Sequence, residues 1–335
     1  MDEVALVTGA AGFIGSHVVD SLLSAGYRVV ALDDLSGGFV ENVNAGATFI
    51  NGTVLDVDLL RGLFREHKFG YVFHLAAYAA EGLSHFIRKF NYENNLIGSV
   101  NLINASVNNH IKCFVFASSI AVYGRNQIPM TEDMMPCPED PYGIAKYAVE
   151  LDLRAALDMF GLPYIVFRPH NVYGERQNIG DRYRNVVGIF MNNILQNKPL
   201  PIFGDGQQTR SFSYIRDVAP IIARSIEMPS AYNQTYNVGA DTPFSVNELA
   251  RSICKAMGVS FDPLYLSARH EVKHATASHD RIRAVFGASA PYSLKEGLSI
   301  MAKYVKDIGP RQSKSFGELD IKKKLPPTWR DVTAS

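Results

Sequence analysis

Thr8-Gly9-Ala10-Ala11-Gly12-Phe13-Ile14-Gly15 follows the apolar run 4–8 and opens a helical stretch at 14–25. A strand that enters a glycine-rich turn and passes directly into a helix constrains this fold more than any other feature. Gly9, Gly12 and Gly15 let the turn close and let backbone approach a pyrophosphate, with the helix N-terminus facing the phosphate charge. The turn carries Phe13 and Ile14 to the same place. The next apolar run ends at Asp33-Asp34, about 20 residues further on, where a carboxylate accepts from a ribose 2′-OH and repels a 2′-phosphate. The expected cofactor is therefore NAD rather than NADP.

The rest of the first half repeats the alternation. Runs at 28–32, 48–51, 71–75, 113–118 and 164–168 read as strands, several of them apolar throughout, as in a parallel sheet covered on both faces. Stretches at 56–66, 94–108 and 142–160 read as helices. The fold class is α/β, a Rossmann-like doubly wound parallel sheet with a smaller C-terminal α/β substrate domain. An NAD-binding domain is expected over 1–172. Segments near 211–240 return to it, with 235–238 as a further strand. An interleaved substrate domain covers 173–308, with helices at 186–196, 246–257 and 294–305 and a strand at 200–203. The polar segment 309–335, with Lys322–Lys324 and Pro326-Pro327, reads as a surface extension or a partly disordered one.

Composition excludes several classes. Of 335 residues, 33 are Lys or Arg and 33 are Asp or Glu, so no basic excess tracks a nucleic-acid backbone. No apolar run approaches the ~18 residues of a membrane span. The first strand starts too near Met1 to leave room for a signal peptide. Cys113, Cys137 and Cys254 are odd in number and far apart, fitting neither a disulfide framework nor a zinc site. They read as partly buried thiols in a reducing, cytoplasmic compartment. No metal site is expected.

Two features carry chemistry. Ser118-Ser119 stands at a strand end. Tyr142-Gly143-Ile144-Ala145-Lys146 opens a helix, and positions i and i+4 share one face, so Tyr142 and Lys146 reach the same site. An unperturbed tyrosine, with a pKa of about 10, is a poor base. A nearby ammonium and a positive nicotinamide ring would favour its phenolate, and Ser119 can donate to the same substrate oxygen.

TGAAGFIGSH at 8–17, FHLAA at 73–77, SSIAVYG at 118–124, YGIAK at 142–146, FRPHNVYG at 167–174 and FGDGQQTRSFSYIRDV at 203–218 together resemble the extended short-chain dehydrogenase/reductase family. The likeness is to its nucleotide-sugar epimerases and dehydratases and spans roughly residues 3–305. It implies that Tyr142 is the base, that Lys146 holds the nicotinamide ribose, and that Ser119 orients the sugar 4-OH. It implies cofactor contacts at Gly9, Gly12, Phe13, Ile14, Gly15, Asp33, Asp34, Leu75, Ala76, Ala77, Asn94, Ser118, Pro169 and His170, besides Tyr142 and Lys146. Substrate contacts are implied at Glu81, Gly82, Asn171, Asn185, Val186, Arg210 and Arg269, besides Ser119 and Tyr142. Thr53 stands where the family carries an adenine-contacting Asp, so that contact is not transferred. The spacing around Arg269 departs from the family pattern, with His270 and Glu271 in place of a Pro-Gly type turn.

The reaction follows from what stands after Ser119. Dehydratases of the family carry an Asp-Glu pair there, needed to eliminate water; this chain has Ile120 and Ala121, which cannot transfer protons. GDP-mannose 3,5-epimerases resemble the chain at His170-Asn171, but their cysteine acid/base position is Ala121. The resemblance therefore implies 4-epimerisation of a nucleotide-diphosphate hexose, with UDP-glucose and UDP-galactose first. A UDP-glucuronate 4-epimerase or decarboxylase, a GDP-mannose 3,5-epimerase-like enzyme and a non-catalytic NAD sensor stay open. Arg182 and Arg184 could meet a C6 carboxylate, and Glu81 would repel one. Relatives pair through the helices at 94–108 and 142–160, which implies a homodimer.

Overall fold

The computed structural model describes residues 3–125, 127–268, 272–287, 292–312, 316–326 and 329. In its first part, β1 (Val4–Thr8) leads to α1 (Phe13–Ser24), β2 (Arg28–Asp33), β3 (Thr48–Asn51), α2 (Val57–His67) and β4 (Tyr71–His74). Short helices α3 (Glu81–Ser84) and α4 (Arg88–Tyr92) precede α5 (Gly98–Asn108), β5 (Cys113–Ala117), α6 (Pro141–Phe160) and β6 (Tyr164–Pro169). Beyond these come β7 (Val172–Tyr173), α7 (Val186–Leu195), β8 (Leu200–Phe203), β9 (Thr209–Ser211), β10 (Ser213–Tyr214) and α8 (Ile215–Arg224). The chain continues with β11 (Gln234–Val238), β12 (Pro243–Ser245), α9 (Val246–Met257), β13 (Pro263–Leu266), β14 (His274–Ala275), α10 (Asp280–Phe286) and α11 (Leu294–Ile308).

Seven parallel strands form the main sheet in the order β11-β6-β5-β4-β1-β2-β3. Side chains alternate across a strand, and both faces here are covered. Val7, Phe73, Val115 and Ile165 belong to the core on one face, and Leu6, Val72, Phe114 and Val166 to the core on the other. That double burial is why these strands read as continuous apolar runs. β11 lies beside β6, as expected for 235–238. Smaller pairings, β12-β9-β14, β13-β8 and β10-β7, stand outside the main sheet.

Helix starts follow their capping residues. Asp56 accepts from the Leu59 N–H and starts α2. Asp140 accepts from Gly143 N–H at 2.9 Å, and Pro141, whose missing N–H costs nothing in a first turn, fixes the start of α6. Ser245-Glu248 and Ser293-Glu296 form capping boxes for α9 and α11.

Three expectations are corrected. Residues 94–108 are not one regular helix: Glu93–Ile97 is a π turn, and α5 follows it. The wider turn lets the Asn95 amide accept from Tyr78 N–H at 2.8 Å and donate to the Tyr78 and Asn91 oxygens, tying the helix to the loop after β4. Cys137 is exposed, whereas Cys113 and Cys254 are buried. The tail from 309 is not merely a surface extension. Leu319, Leu325 and Trp329 are buried against Ala80, Leu83 and Ile87, because α3 and α4 present an apolar wall to it. No helix among the described residues is long and apolar enough to cross a membrane.

A buried ion pair fastens α6 to β6. Arg168 Nε donates to Glu150 Oε1 at 3.0 Å and its Nη2 to Oε2 at 2.5 Å, with both side chains below 5% exposed. Removing one partner strands the other charge in the interior. Glu150→Gln is expected to cost about 3–5 kcal/mol, read as a lower denaturation midpoint in urea. A cost below about 1 kcal/mol, the range of exposed pairs, would contradict this account.

Candidate active site

The C-terminal ends of the parallel strands open onto one cleft of about 1090 Å³. That exceeds the ~300–1,000 Å³ usual for one small ligand. Its floor comes from residues at the ends of β1, β2, β4, β5 and β6, which is where an open α/β sheet binds ligands.

The glycine turn has no room for side chains. A Cβ on Gly15 would stand 2.0 Å from the Gly9 oxygen, and one on Gly9, whose φ is +70°, would stand 2.7 Å from Ala76 N. No side chain caps α1 at Gly12, so its first-turn N–H groups are left for an anion. Asp33 accepts from Ala11 N–H at 2.9 Å and from Leu35 N–H at 2.8 Å, with Gly12 N–H also directed at it. Burial pushes its carboxyl above the usual range, and these N–H donors oppose that. Asp34 lines the cleft and accepts from Ser36 N–H. Leu75, Ala76, Ala77, Asn94, Ser118, Pro169 and His170 line it too, with Phe13 and Ile14. A tight turn with bare backbone, an uncapped helix start and a carboxylate at the end of β2 fit NAD.

Tyr142 and Lys146 occupy successive turns of α6, and both are almost fully buried beside Ser119. Ser119 hydrogen-bonds Tyr142. Its Oγ also accepts from Ala121 N–H at 3.1 Å, starting the 3-10 turn Ile120–Tyr123. Lys146 Nζ donates to Ala117 O at 2.6 Å, one of its three donors, and lies 5.9 Å from the Tyr142 ring centre. Burial pushes the Tyr142 hydroxyl well above its ordinary value; the Ser119 bond lowers it, and the Glu81 and Asp140 carboxylates raise it further. Burial also lowers Lys146 to about 7, against the attraction of Glu150. The expectation that Lys146 favours the phenolate is therefore corrected for the chain alone. Both groups are desolvated, and desolvation favours their neutral forms.

On the substrate side, Glu81, Gly82, Asn171, Asn185, Val186 and Arg210 all line the cleft, and Arg269 lies outside the described residues. Asn185 is largely spent on structure: its Oδ1 caps α7 through Val187 N–H, and its Nδ2 donates to Val172 O. Arg210 donates to the Thr209, Lys273 and Val272 carbonyls, which among the described residues take three of its five donors. Asn171 donates to Ser211 O at 3.1 Å. His170 faces the cleft and meets His279 at 2.9 Å; His279 in turn meets Asp241 at 2.7 Å. Burial first, then His279, drives His170 down to about 3, so it is neutral. Sequence reasoning did not reach His279, Asp241, Gln177 or Trp329, three of which have no local motif. The lone tryptophan in a polar tail was a signal that could have been read.

Sheet, turn and Ser–Tyr–Lys centre define an NAD-dependent enzyme of the short-chain dehydrogenase/reductase type. The chain belongs to the NAD dependent epimerase/dehydratase family, whose profile matches residues 5–239. It is 34% identical over 305 residues to a putative UDP-glucose 4-epimerase of Methanocaldococcus jannaschii, covering 90% of this chain and 98% of that one. It is similar to the solved UDP-glucose 4-epimerase of Thermotoga maritima with UDP-glucose (TM-score 0.87, 36% identity, 91% of this chain and 99% of that one). It is also similar to the UDP-glucuronic acid 4-epimerase of Bacillus cereus in complex with UDP-glucuronic acid and NAD (TM-score 0.83, 29% identity, 91% and 99%).

The buried lysine has a consequence for stability. Its folded pKa, about 7, lies below its ordinary 10.5. Between those values the unfolded chain binds a proton that the folded chain does not, so stability rises with pH. Cys113, whose thiol burial pushes up, acts in the opposite sense only above its ordinary 9.0. From pH 7 to 9 the cofactor-free protein is expected to gain melting temperature relative to Lys146→Met. Parallel melting curves for the two proteins would refute the lowered lysine pKa.

Proposed function

We propose that the protein interconverts UDP-glucose and UDP-galactose by 4-epimerisation. The observation that carries this is the hydrogen-bonded Ser119–Tyr142 pair, with Lys146 one turn on and apolar Ile120 and Ala121 directly after the serine. Tyr142 holds and moves the proton of the sugar O4, and Ser119 orients that oxygen. Lys146 anchors the nicotinamide ribose. NAD, which the glycine turn, Asp33 and Lys146 would hold, would supply reversible hydride chemistry at sugar C4 with no net redox change. With Ile120 and Ala121 in place, no carboxylate follows Ser119 to remove a second proton or expel water. Remaining donors of Arg210 suit the diphosphate, where a guanidinium can bind two oxygens. Similarity to relatives named for this reaction supports the same reading.

A C6 carboxylate is the second reading, because Arg184 is close enough to lower the Tyr142 pKa. Against it, Arg184 stands 2.7 Å from Asp181, and the Glu81 carboxylate faces the same tyrosine.

The purified protein, given UDP-glucose, UDP-galactose, their uronic and N-acetyl forms, and GDP-mannose, is expected to convert UDP-glucose towards its C4 epimer by proton NMR. Conversion of only the uronic acid would transfer the assignment to the second reading. Tyr142→Phe is expected to lower kcat by about 10²–10⁴, the usual worth of a positioned acid–base group; an unchanged kcat would remove Tyr142 from the role.

The active form is read as a homodimer pairing through α5 and α6. Ile144 and Leu151, seven residues apart on α6, are exposed, as is Ile97 just before α5. Leu151→Asp is expected to halve the mass measured by light scattering. A wild-type mass of one chain would reject the pairing.

A further inference from the structure

The segment beyond α11 returns to the mouth of the cleft. Arg311 and Asn192 exchange two hydrogen bonds, Arg311 N–H to Asn192 Oδ1 and Asn192 Nδ2 to Arg311 O, each 3.0 Å. Further along, Lys89 N–H donates to Asp320 at 2.9 Å and Ile321 N–H to Phe86 O at 3.2 Å. Phe316 packs on Phe90 with ring centres 4.9 Å apart, and Leu319 and Leu325 are buried. The strap thus runs from α7 to α4, held by backbone bonds and an apolar seam.

The strap brings Trp329 into the wall of the cleft. Its indole lies edge-on to Tyr183 at 5.2 Å and to Phe86 at 6.0 Å, and is 5% exposed. A Cβ on Gly82 would stand 3.3 Å from its ring. Gly82 adjoins Glu81, whose carboxylate acts on Tyr142. The indole is therefore one residue removed from a group that faces the reacting hydroxyl. We propose that the C-terminal strap completes the hexose end of the substrate site, with Trp329 as a specificity-determining residue that backs the wall at Gly82 and limits the sugar's bulk. A rigid indole held behind Gly82 fixes how far that wall can recede, leaving the hydroxyls to Ser119 and Glu81. The inference rests on the UDP-hexose reading above.

Trp329 is the single tryptophan of the chain, so its emission reports on this wall alone. In NAD-loaded protein, UDP-glucose is expected to change tryptophan emission saturably, and UDP is expected to leave it nearly unchanged. Trp329→Ala is expected to raise KM for UDP-glucose about tenfold with a smaller change in kcat. It is also expected to reduce the preference for UDP-glucose over UDP-N-acetylglucosamine by a similar factor, because the wall has receded. Trp329→Phe should recover much of both. Leu325→Asp, which detaches the strap while leaving the Trp329 side chain itself unchanged, should reproduce the alanine result. Retained NAD content and melting temperature identify folded variants. Normal epimerisation of UDP-glucose with unchanged KM and unchanged preference in both Trp329→Ala and Leu325→Asp would overturn the inference alone. Failure of every nucleotide sugar to bind or turn over would overturn the reaction assignment, and this inference with it.

Discussion

The buried pair Glu150–Arg168 is the interaction on which the reacting centre depends. Glu150 lies one turn beyond Lys146 on α6, and Arg168 is the penultimate residue of β6. The carboxylate also accepts from Ser118 Oγ at 2.5 Å, next to Ser119. One side chain thus sets the helix that carries Tyr142 and Lys146 against the two strand ends that supply Ser119 and Pro169. Arg168 continues the chain of contacts: its Nη1 donates to Tyr123 OH at 2.7 Å, and that hydroxyl donates to Asn237 at 2.8 Å on β11. A desolvated pair adds little net stability against an apolar isostere. Its worth here is positional, since a bidentate fork fixes both the angle and the register of α6 on the sheet.

Around that frame the electrostatics are set by burial more than by pairing. Tyr142 and Lys146 are each pushed towards neutrality, and two carboxylates near Tyr142 add to the resistance against a phenolate. Desolvation of both groups disfavours the phenolate in the protein alone, and added positive charge in the same low-dielectric space would favour it. The neutral His170–His279 contact beneath the cleft fits this economy: burial keeps it uncharged, so it shapes the wall without adding a cation that would compete.

How much of this was legible in the sequence varies with how local its cause is. The glycine turn, the carboxylate after β2 and the Tyr142–Lys146 spacing are each written within a few residues, and the structure brings all of them to one cleft. The runs at 4–8, 48–51 and 200–203 coincide with β1, β3 and β8, of which β1 is buried along its whole length. The return of 235–238 to β6 was also readable. By contrast, the π turn at Glu93–Ile97 depends on an Asn95 amide reaching a loop that no spacing reveals. Arg210 was legible as a diphosphate ligand by motif, but its capture by the Val272 and Lys273 carbonyls was not, since β14 comes beside β9 only in the folded chain. The tail looked polar because its few apolar residues are spread out; they become a seam only against the wall of α3 and α4.

That division also explains why the family is easier to read than the sugar. The glycine turn, Asp33, Ser119 and Tyr142 sit on strand ends and on the first turns of helices, where backbone geometry forces a motif. The walls of the hexose end come instead from the α3 segment, the 181–185 loop and the strap, three stretches distant in sequence that meet only by packing. Any one of them can change its side chains without disturbing the turn, the caps or the buried ion pair. Side chains of that wall are therefore held by packing among α3, the 181–185 loop and the strap, independently of the geometry of the sheet.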